Sequence, residues 1–377
     1  MTTTDLDPPV WVETPNELNS MCACLESVCC IAVDTESNSL HAYKEQVCLI
    51  QFSISNQDFL VDTLALHDIS RLAPIFDNPN IVKIFHAAEY DLLCLKRDYH
   101  IHIQNVFDTM LAARILGYPV FGLGAILKDK FGVEMDKRYQ KADWAKRPMP
   151  AAMLSYARMD THYLVALREI MLQELAERHL MELAEEDFQR IAKVNGNGQE
   201  PDLNSFWKVN GAHDLNPIQA AVLRALYHVR DHEARRRNTP PFKVCPNEFL
   251  LALATTMPQN LEELLATGLN ERLLKRYSRE WLTAVKVGLE SEGLRPPRAK
   301  KRDVLLKERI DALKEWRKKT AAELNVESDV ILPKDLMITI AEKTPPTLEQ
   351  LKELMAFFPW RYTNYGSQII KVIQSTK

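Results

Sequence analysis

Ile31-Ala32-Val33, Val47 to Ile54 and Phe59-Leu60-Val61 are three short apolar runs in succession, and their reading decides the fold. The first two are rich in β-branched and apolar residues, and all three are too short for buried helices, so they read as consecutive strands. Downstream, about Arg71 to Phe76 reads as a short helix and Ile81 to Phe85 as a fourth strand. His86 to Arg97 reads as a helix, Val106-Phe107 as a short fifth strand, and Thr109 to Leu116 as a helix stopped by Gly117. Helices then run from about Ala151 to Ala192. Three consecutive strands followed by strand–helix alternation predict a mixed sheet flanked by helices, an α/β domain.

Asn195-Gly196-Asn197-Gly198-Gln199-Glu200-Pro201 is a polar, turn-forming break. Beyond it the chain repeats itself. A shift of 87 residues brings Leu223 onto Ile310, Arg230 onto Arg317, Pro246 onto Pro333 and Phe249 onto Leu336; Ala254, Pro258, Leu261 and Leu264 fall on Ala341, Pro345, Leu348 and Leu351. Apolar residues meet apolar ones and prolines meet prolines without a gap, which is the mark of two copies of one small helical module. The seam, Ser291 to Arg302, holds Pro296-Pro297 and five basic residues from Arg295 onward. The predicted division is an α/β domain over 1–195, a linker over 196–212, one helical domain over 213–290, a basic linker over 291–302 and a second helical domain over 303–377.

A chain of 377 residues exceeds what one core usually serves. Apolar residues at 46% and charged residues at 26% describe an ordinary globular mixture, and the scarcity of Gly (11) suits the helical character of the second half. No run of about twenty apolar residues is present, so no membrane span is expected. Met1-Thr2-Thr3-Thr4-Asp5 lacks the basic start and apolar run of a signal peptide, which predicts a cytoplasmic protein. Among the seven cysteines, Cys22, Cys24, Cys29 and Cys30 lack zinc-site spacing, and adjacent strand residues face opposite ways, so reduced cysteines are expected. A net charge of −4 neither demands nor excludes a nucleic-acid partner.

Asp34 and Glu36 end the first apolar strand, where a period of two puts both carboxylates on one face. Two acids beside a core are unfavourable unless a cation or donors neutralise them. Asp91 belongs to the helix after the fourth strand, and Tyr156 and Asp160, four apart, share one helix face. Glu89 rivals Asp91, but two helical positions away it points about 200° around the axis. Oxygen ligands without His or Cys favour Mg²⁺ or Mn²⁺. Two such ions about 4 Å apart activate a water and stabilise the leaving oxygen of a phosphodiester. A tyrosine hydroxyl, with an ordinary pKa of about 10, suits orienting that water better than deprotonating it.

Val33-Asp34-Thr35-Glu36, His86-Ala87-Ala88-Glu89-Tyr90-Asp91 and Tyr156-Ala157-Arg158-Met159-Asp160 resemble the three exonuclease motifs of the ribonuclease D family, within the DEDD 3′→5′ exonuclease superfamily. The tyrosine four before the last aspartate is similar to the tyrosine-bearing subgroup. Asp143-Trp144-Ala145-Lys146-Arg147-Pro148 resembles a segment typical of that family, and the twin repeats resemble its helicase-and-RNase-D C-terminal (HRDC) module. The resemblance covers nearly the whole chain in order. It implies an RNase H-like nuclease domain followed by two all-α HRDC-like domains. It also implies Asp34, Glu36, Asp91 and Asp160 as ligands of two divalent cations, Tyr156 positioning the nucleophilic water, and a monomer without a small-molecule cofactor. The implied substrate is RNA with a free 3′ end, tRNA precursors among them.

Several residues have plainer readings. Asp62 and Asp108 follow strands and precede Thr, which predicts N-caps. His86 reads as a satisfied strand-end histidine, and Trp144 and Arg147 as a packing aromatic and a surface cation at least as readily as RNA contacts. Arg235-Arg236-Arg237 and the run Arg295 to Arg302 suit either phosphates or a solvated face. At this point a DNA exonuclease of the same superfamily, or an inactive protein that grips RNA 3′ ends, stands as the alternative.

Overall fold

A computed structural model describes residues 6–193, 204–297 and 303–376. Residues 1–5, the polar break at 195–201, the first part of the 196–212 linker and 298–302 of the basic linker lie outside the described residues. The chain forms two compact units: 1–37, 47–196 and 301–377 make one, 38–46 and 197–300 the other.

The first unit is built on a six-stranded mixed sheet, ordered β1-β4-β3-β2-β5-β6. The strands are β1 (Val10–Val12), β2 (Cys30–Ser37), β3 (Val47–Ile54), β4 (Gln57–Asp62), β5 (Val82–Phe85) and β6 (Val106–Asp108). β2, β3 and β4 pair antiparallel as consecutive strands, whereas β5 and β6 continue the sheet in parallel from β2. All the expected strands are present; β2 runs past the apolar residues to carry Asp34 and Glu36 inside the strand. β1 and the helix α1 (Pro15–Glu26) are additions to the sequence reading. The Thr14–Glu17 capping box that starts α1 is a signal the sequence carries. Both faces are covered. α3 (Glu89–Tyr99), α4 (Thr109–Ile115), α5 (Leu123–Phe131), α6 (Ala151–His162), α7 (Leu164–Glu177) and α8 (Met181–Ala192) follow the short α2 (Ala73–Asp77). The core takes in Ile31, Val33, Phe52, Phe76, Ile84 and Leu167. All seven cysteines are free thiols.

The two repeats close in the same way. The first has α9 (Pro217–Arg236), α10 (Pro241–Val244), α11 (Asn247–Thr256), α12 (Leu261–Ala266), α13 (Glu271–Arg276) and α14 (Ser278–Glu290). The second has α15 (Val304–Leu324), α16 (Ser328–Ile331), α17 (Lys334–Lys343), α18 (Leu348–Leu354) and α19 (Pro359–Gln374). Arg230 Nη1 donates to the Cys245 carbonyl, and 87 residues on Arg317 Nη1 donates to the Leu332 carbonyl. Met257 and Thr344 end α11 and α17 in the left-handed conformation, and Asn260 and Thr347 cap α12 and α18. The match therefore extends to backbone devices that hydrophobic spacing does not show.

Arg361, in the first turn of α19, is fully buried. Arg361 donates to Glu186 Oε2 and Asp187 Oδ2 of α8, both at 2.8 Å, and to the Val330 carbonyl. Arg114 of α4 pairs with Glu327 and Asp329 in the same unit. The second repeat is thereby bonded to the sheet domain's helices as part of one compact unit.

In the other unit, Tyr43 lies against α9: its hydroxyl donates to Asp231 Oδ1 at 2.9 Å, and Arg235 donates to it and stacks over the ring. Arg236 pairs with Glu233, and Arg237 donates to the Tyr277 hydroxyl. All three arginines of the run are thus engaged within the unit.

Candidate active site

β2 lies centrally in the sheet, and its end carries Asp34 and Glu36. α6 packs across β3 and β4 and is fixed there by a polar cluster. Ser53 donates to Asp58 at 2.6 Å and meets Thr161 at 2.7 Å, while Arg158 and His162 pair with the same Asp58 at 2.8 and 2.9 Å. Burial raises the Asp58 pKa, but the bonds from His162 and Ser53 and the charges of His162 and Arg158 outweigh it, leaving the carboxyl below its ordinary value. This clamp fixes the rotation of α6 and hence the direction of Tyr156 and Asp160.

Asp34, Glu36 and Asp160 each bring one carboxylate oxygen within 4.8 Å of the others. Their proton affinities record the crowding. Burial, then the charges of Asp91, Asp160 and Glu36, hold Asp34 well above the carboxylate range. Burial, then Asp160 and Asp91, push Glu36 up to about 9, and burial with Asp91 pushes Asp160 up to about 7. Among the described residues, no basic group is among the charges acting on Glu36 or Asp160.

Asp91 reaches the cluster differently. It is buried while Glu89 is exposed, as the helical geometry requires. Its Oδ1 accepts the backbone N–H of Thr35 at 3.1 Å and the Thr35 hydroxyl, tying α3 to the residue between Asp34 and Glu36. Burial pushes Asp91 up to about 7, and the Thr35 bonds restrain the rise. Asp91 is coupled by charge to all three other acids but is outside the 4.8 Å group.

The start of α3 is set by Asp108. Besides capping α4 through Met110 and Leu111, its carboxylate accepts the N–H groups of Ala87 and Ala88 at 3.1 and 2.7 Å. Ala87 is left-handed (φ 65), so α3 begins at Glu89, three residues later than its sequence predicts. His86 bonds Thr109 at 2.9 Å, and burial lowers its pKa to about 4, which leaves it a neutral structural histidine.

Tyr156 is buried in an apolar wall with Leu49, Leu60 and Trp144, its ring 5.9 Å from Trp144 and 5.8 Å from Tyr139. Burial and the charges of Asp160, Glu36 and Asp34 raise its pKa far beyond the ordinary tyrosine value, so the hydroxyl keeps its proton. Trp144 is too buried to stack on a nucleotide. Arg147 grips Asp62 through two bonds of 2.6 and 2.7 Å and donates to the carbonyls of Cys48 and Trp144. Asp62 also accepts the N–H groups of Leu64 and Ala65, so it caps a turn rather than a helix and secures the wall behind Tyr156. Trp144 and Arg147 are thus supports of Tyr156. Thr35, Asp108 and the Asp62–Arg147 pair are the functional neighbours that sequence reading missed, because each acts through a partner distant in the chain.

Three converging carboxylates without a cationic side chain on Glu36 or Asp160 are stable as anions only with a cation among them. The donor set, oxygen alone, is that of a hard divalent ion.

A 3′-5′ exonuclease family model matches residues 9–176, and an HRDC domain model matches twice, at 219–285 and 307–373. The exosome complex exonuclease RRP6 of Saccharomyces cerevisiae is 32% identical over 325 residues, covering 80% of this chain and 44% of that protein. The exosome complex component 10 homolog of Caenorhabditis elegans is 34% identical over 266 residues, 69% of this chain and 30% of that one. The chain therefore spans less than half the length of either relative. The crystal structure of the catalytic core of RRP6 from Trypanosoma brucei is similar with a TM-score of 0.67 at 30% identity, covering 77% of this chain and 81% of that one. Escherichia coli RNase D shares the fold, with a TM-score of 0.72 at 23% identity, over 98% of this chain and 99% of that one. Among the described residues no helix is long and apolar enough to cross a membrane.

Proposed function

We infer that this chain, which belongs to the ribonuclease D-type family of 3′-5′ exonucleases carrying HRDC domains, removes nucleotides one at a time from the 3′ end of RNA by metal-dependent hydrolysis. The observation that carries the reading is the meeting of Asp34, Glu36 and Asp160 within 4.8 Å. Asp34, Glu36 and Asp160, with Asp91 behind Thr35, would hold two Mg²⁺ or Mn²⁺ ions. When bound, such ions lower the pKa of a water and stabilise charge on the leaving 3′ oxygen.

The protein's own residues set the geometry. β2 carries Asp34 and Glu36 and α6 carries Asp160, so the two elements together would set where the cations, and a phosphodiester bound to them, sit. Tyr156 keeps its proton and acts as an orienting hydroxyl for the attacking water, not as a base. Nucleoside 5′-monophosphates are the expected products. Structured RNAs such as tRNA precursors are the proposed substrates, in a cytoplasmic monomer. The domains we assign are 1–195, 213–290 and 303–377.

RNA labelled at its 5′ end, incubated with Mg²⁺ or Mn²⁺, should shorten in single-nucleotide steps, and EDTA should stop it. An intact RNA bound by the protein under both metals would replace the nuclease reading with a 3′-end-binding one. Faster digestion of matched DNA would replace RNA with DNA as the substrate.

A further inference from the structure

β3 is buried over Val47 to Ser53, yet its centre is an amide. Gln51 is fully buried, and neither Oε1 nor Nε2 has a hydrogen-bond partner among the described residues. Leaving such a group unpaired is unfavourable, and a leucine or methionine there would avoid the penalty. Ser53, the other polar residue of this buried run, is bonded to Asp58 and Thr161. Gln51 is therefore an exception that the packing of the sheet does not explain.

Its place in the register does. Gln51 lies directly across from Asp34 on β2 and from Leu60 on β4. Residues opposite one another in antiparallel strands share a face, with Cβ atoms about 4.5–5.5 Å apart. That face is the one under α6: Leu49 and Leu60 pack with Tyr156 and Ala157, and Ser53 is bonded to Thr161. The unpaired amide thus belongs to the layer that holds the carboxylate cluster, with Asp34 as its cross-strand neighbour.

We propose that Gln51 is a positioning residue for the metal centre, its Nε2 donating to the Asp34 carboxylate in the cation-loaded protein and so fixing which Asp34 oxygen faces the ion. The assignment rests on the metal-dependent reading above. A side-chain amide suits the task because it donates without adding charge to an already crowded anionic cluster, whereas a lysine would compete with the cation.

Gln51→Met keeps the length and removes the donor. Calorimetric titration of the full chain with Mn²⁺ should show binding about 10- to 100-fold weaker than wild type, the loss typical of a residue that orients a ligand. The metal-free variant should melt no lower than wild type, and kcat on RNA should fall with KM unchanged. Equal Mn²⁺ affinity in a folded variant would overturn the assignment of Gln51 alone. A wild-type chain that binds no Mn²⁺ would overturn the metal reading and this one together. Should the variant not fold, a crystal structure of the Mn²⁺-loaded wild type decides: Nε2 within hydrogen-bond distance of an Asp34 oxygen supports the proposal, and Nε2 bonded elsewhere overturns it.

Discussion

Thr35 donates both its backbone N–H and its hydroxyl to one oxygen of Asp91. The bond pair joins β2 to α3 at the residue flanked by Asp34 and Glu36, so the sheet and the helix cannot shift independently at the acids. Thr35→Val should remove one bond and loosen Asp91, weakening Mn²⁺ binding about tenfold by calorimetry, and Thr35→Ser should restore it.

The cluster's own charges make its members costly to the metal-free fold. Asp34→Asn and Asp160→Asn should each lower turnover more than about 100-fold. Each should also raise the melting temperature in EDTA, because one of the mutually repelling acids is gone. In the proposed role of an orienting hydroxyl, Tyr156→Phe should lower kcat by about 100-fold with little change in RNA affinity. Single-turnover rates beside filter-binding affinities measure the difference.

Protons and cations compete for the same oxygens. Burial, with the neighbouring acids, pushes Asp160 up to about 7 and Glu36 up to about 9 in the metal-free protein, and burial pushes Asp91 up to about 7. These pKa values are raised above the unfolded range of about 4, so the protonated acids stabilise the fold at low pH and that contribution fades as pH rises through about 7 and toward 9. Melting temperature in EDTA should therefore fall across this window, while Mn²⁺ affinity should rise across it with release of protons. An affinity independent of pH from 6 to 9 would count against these groups as ligands.

Asp62 and Arg147 hold the wall behind Tyr156. Arg147→Ala leaves a buried carboxylate unpaired and should cost about 3 kcal/mol in urea unfolding at neutral pH. Burial raises the Asp62 pKa, but the Arg147 bonds and charge and the two backbone donors outweigh it and hold the carboxyl below its ordinary value. The stabilisation is thus present above about pH 4 and lost as pH falls through the lowered pKa. The gap between wild type and Asp62→Asn should shrink as pH drops from about 5 to 3.

Arg361 bonds the second repeat to α8. Arg361→Met should destabilise the first unit by about 3–5 kcal/mol, because Glu186 and Asp187 would remain buried without their partner. As a control, Leu274→Met in the first repeat's core should cost less than about 1.5 kcal/mol, a volume-conserving swap. Urea unfolding followed by fluorescence compares the two.

By itself the sequence determined the elements and the residue types of the site. Strand and helix periodicity located the five strands and most of the helices near the sheet, the 87-residue shift located both repeats, and D-x-E, the segment His86 to Asp91 and Y-x-x-x-D singled out the acids and the tyrosine. These are local properties, set by side-chain period and chain order. The tertiary structure decided what passes between distant segments. It showed that Thr35 holds Asp91, that Asp108 pins the turn before α3, that Arg147 is a brace, and that Gln51 is buried unpaired across from Asp34. It also decided that the repeats divide between two units, the second bonded to α8 through Arg361. A hydrogen bond between residues 35 and 91, or 361 and 186, depends on register and packing, and neither has a period that composition or spacing can display.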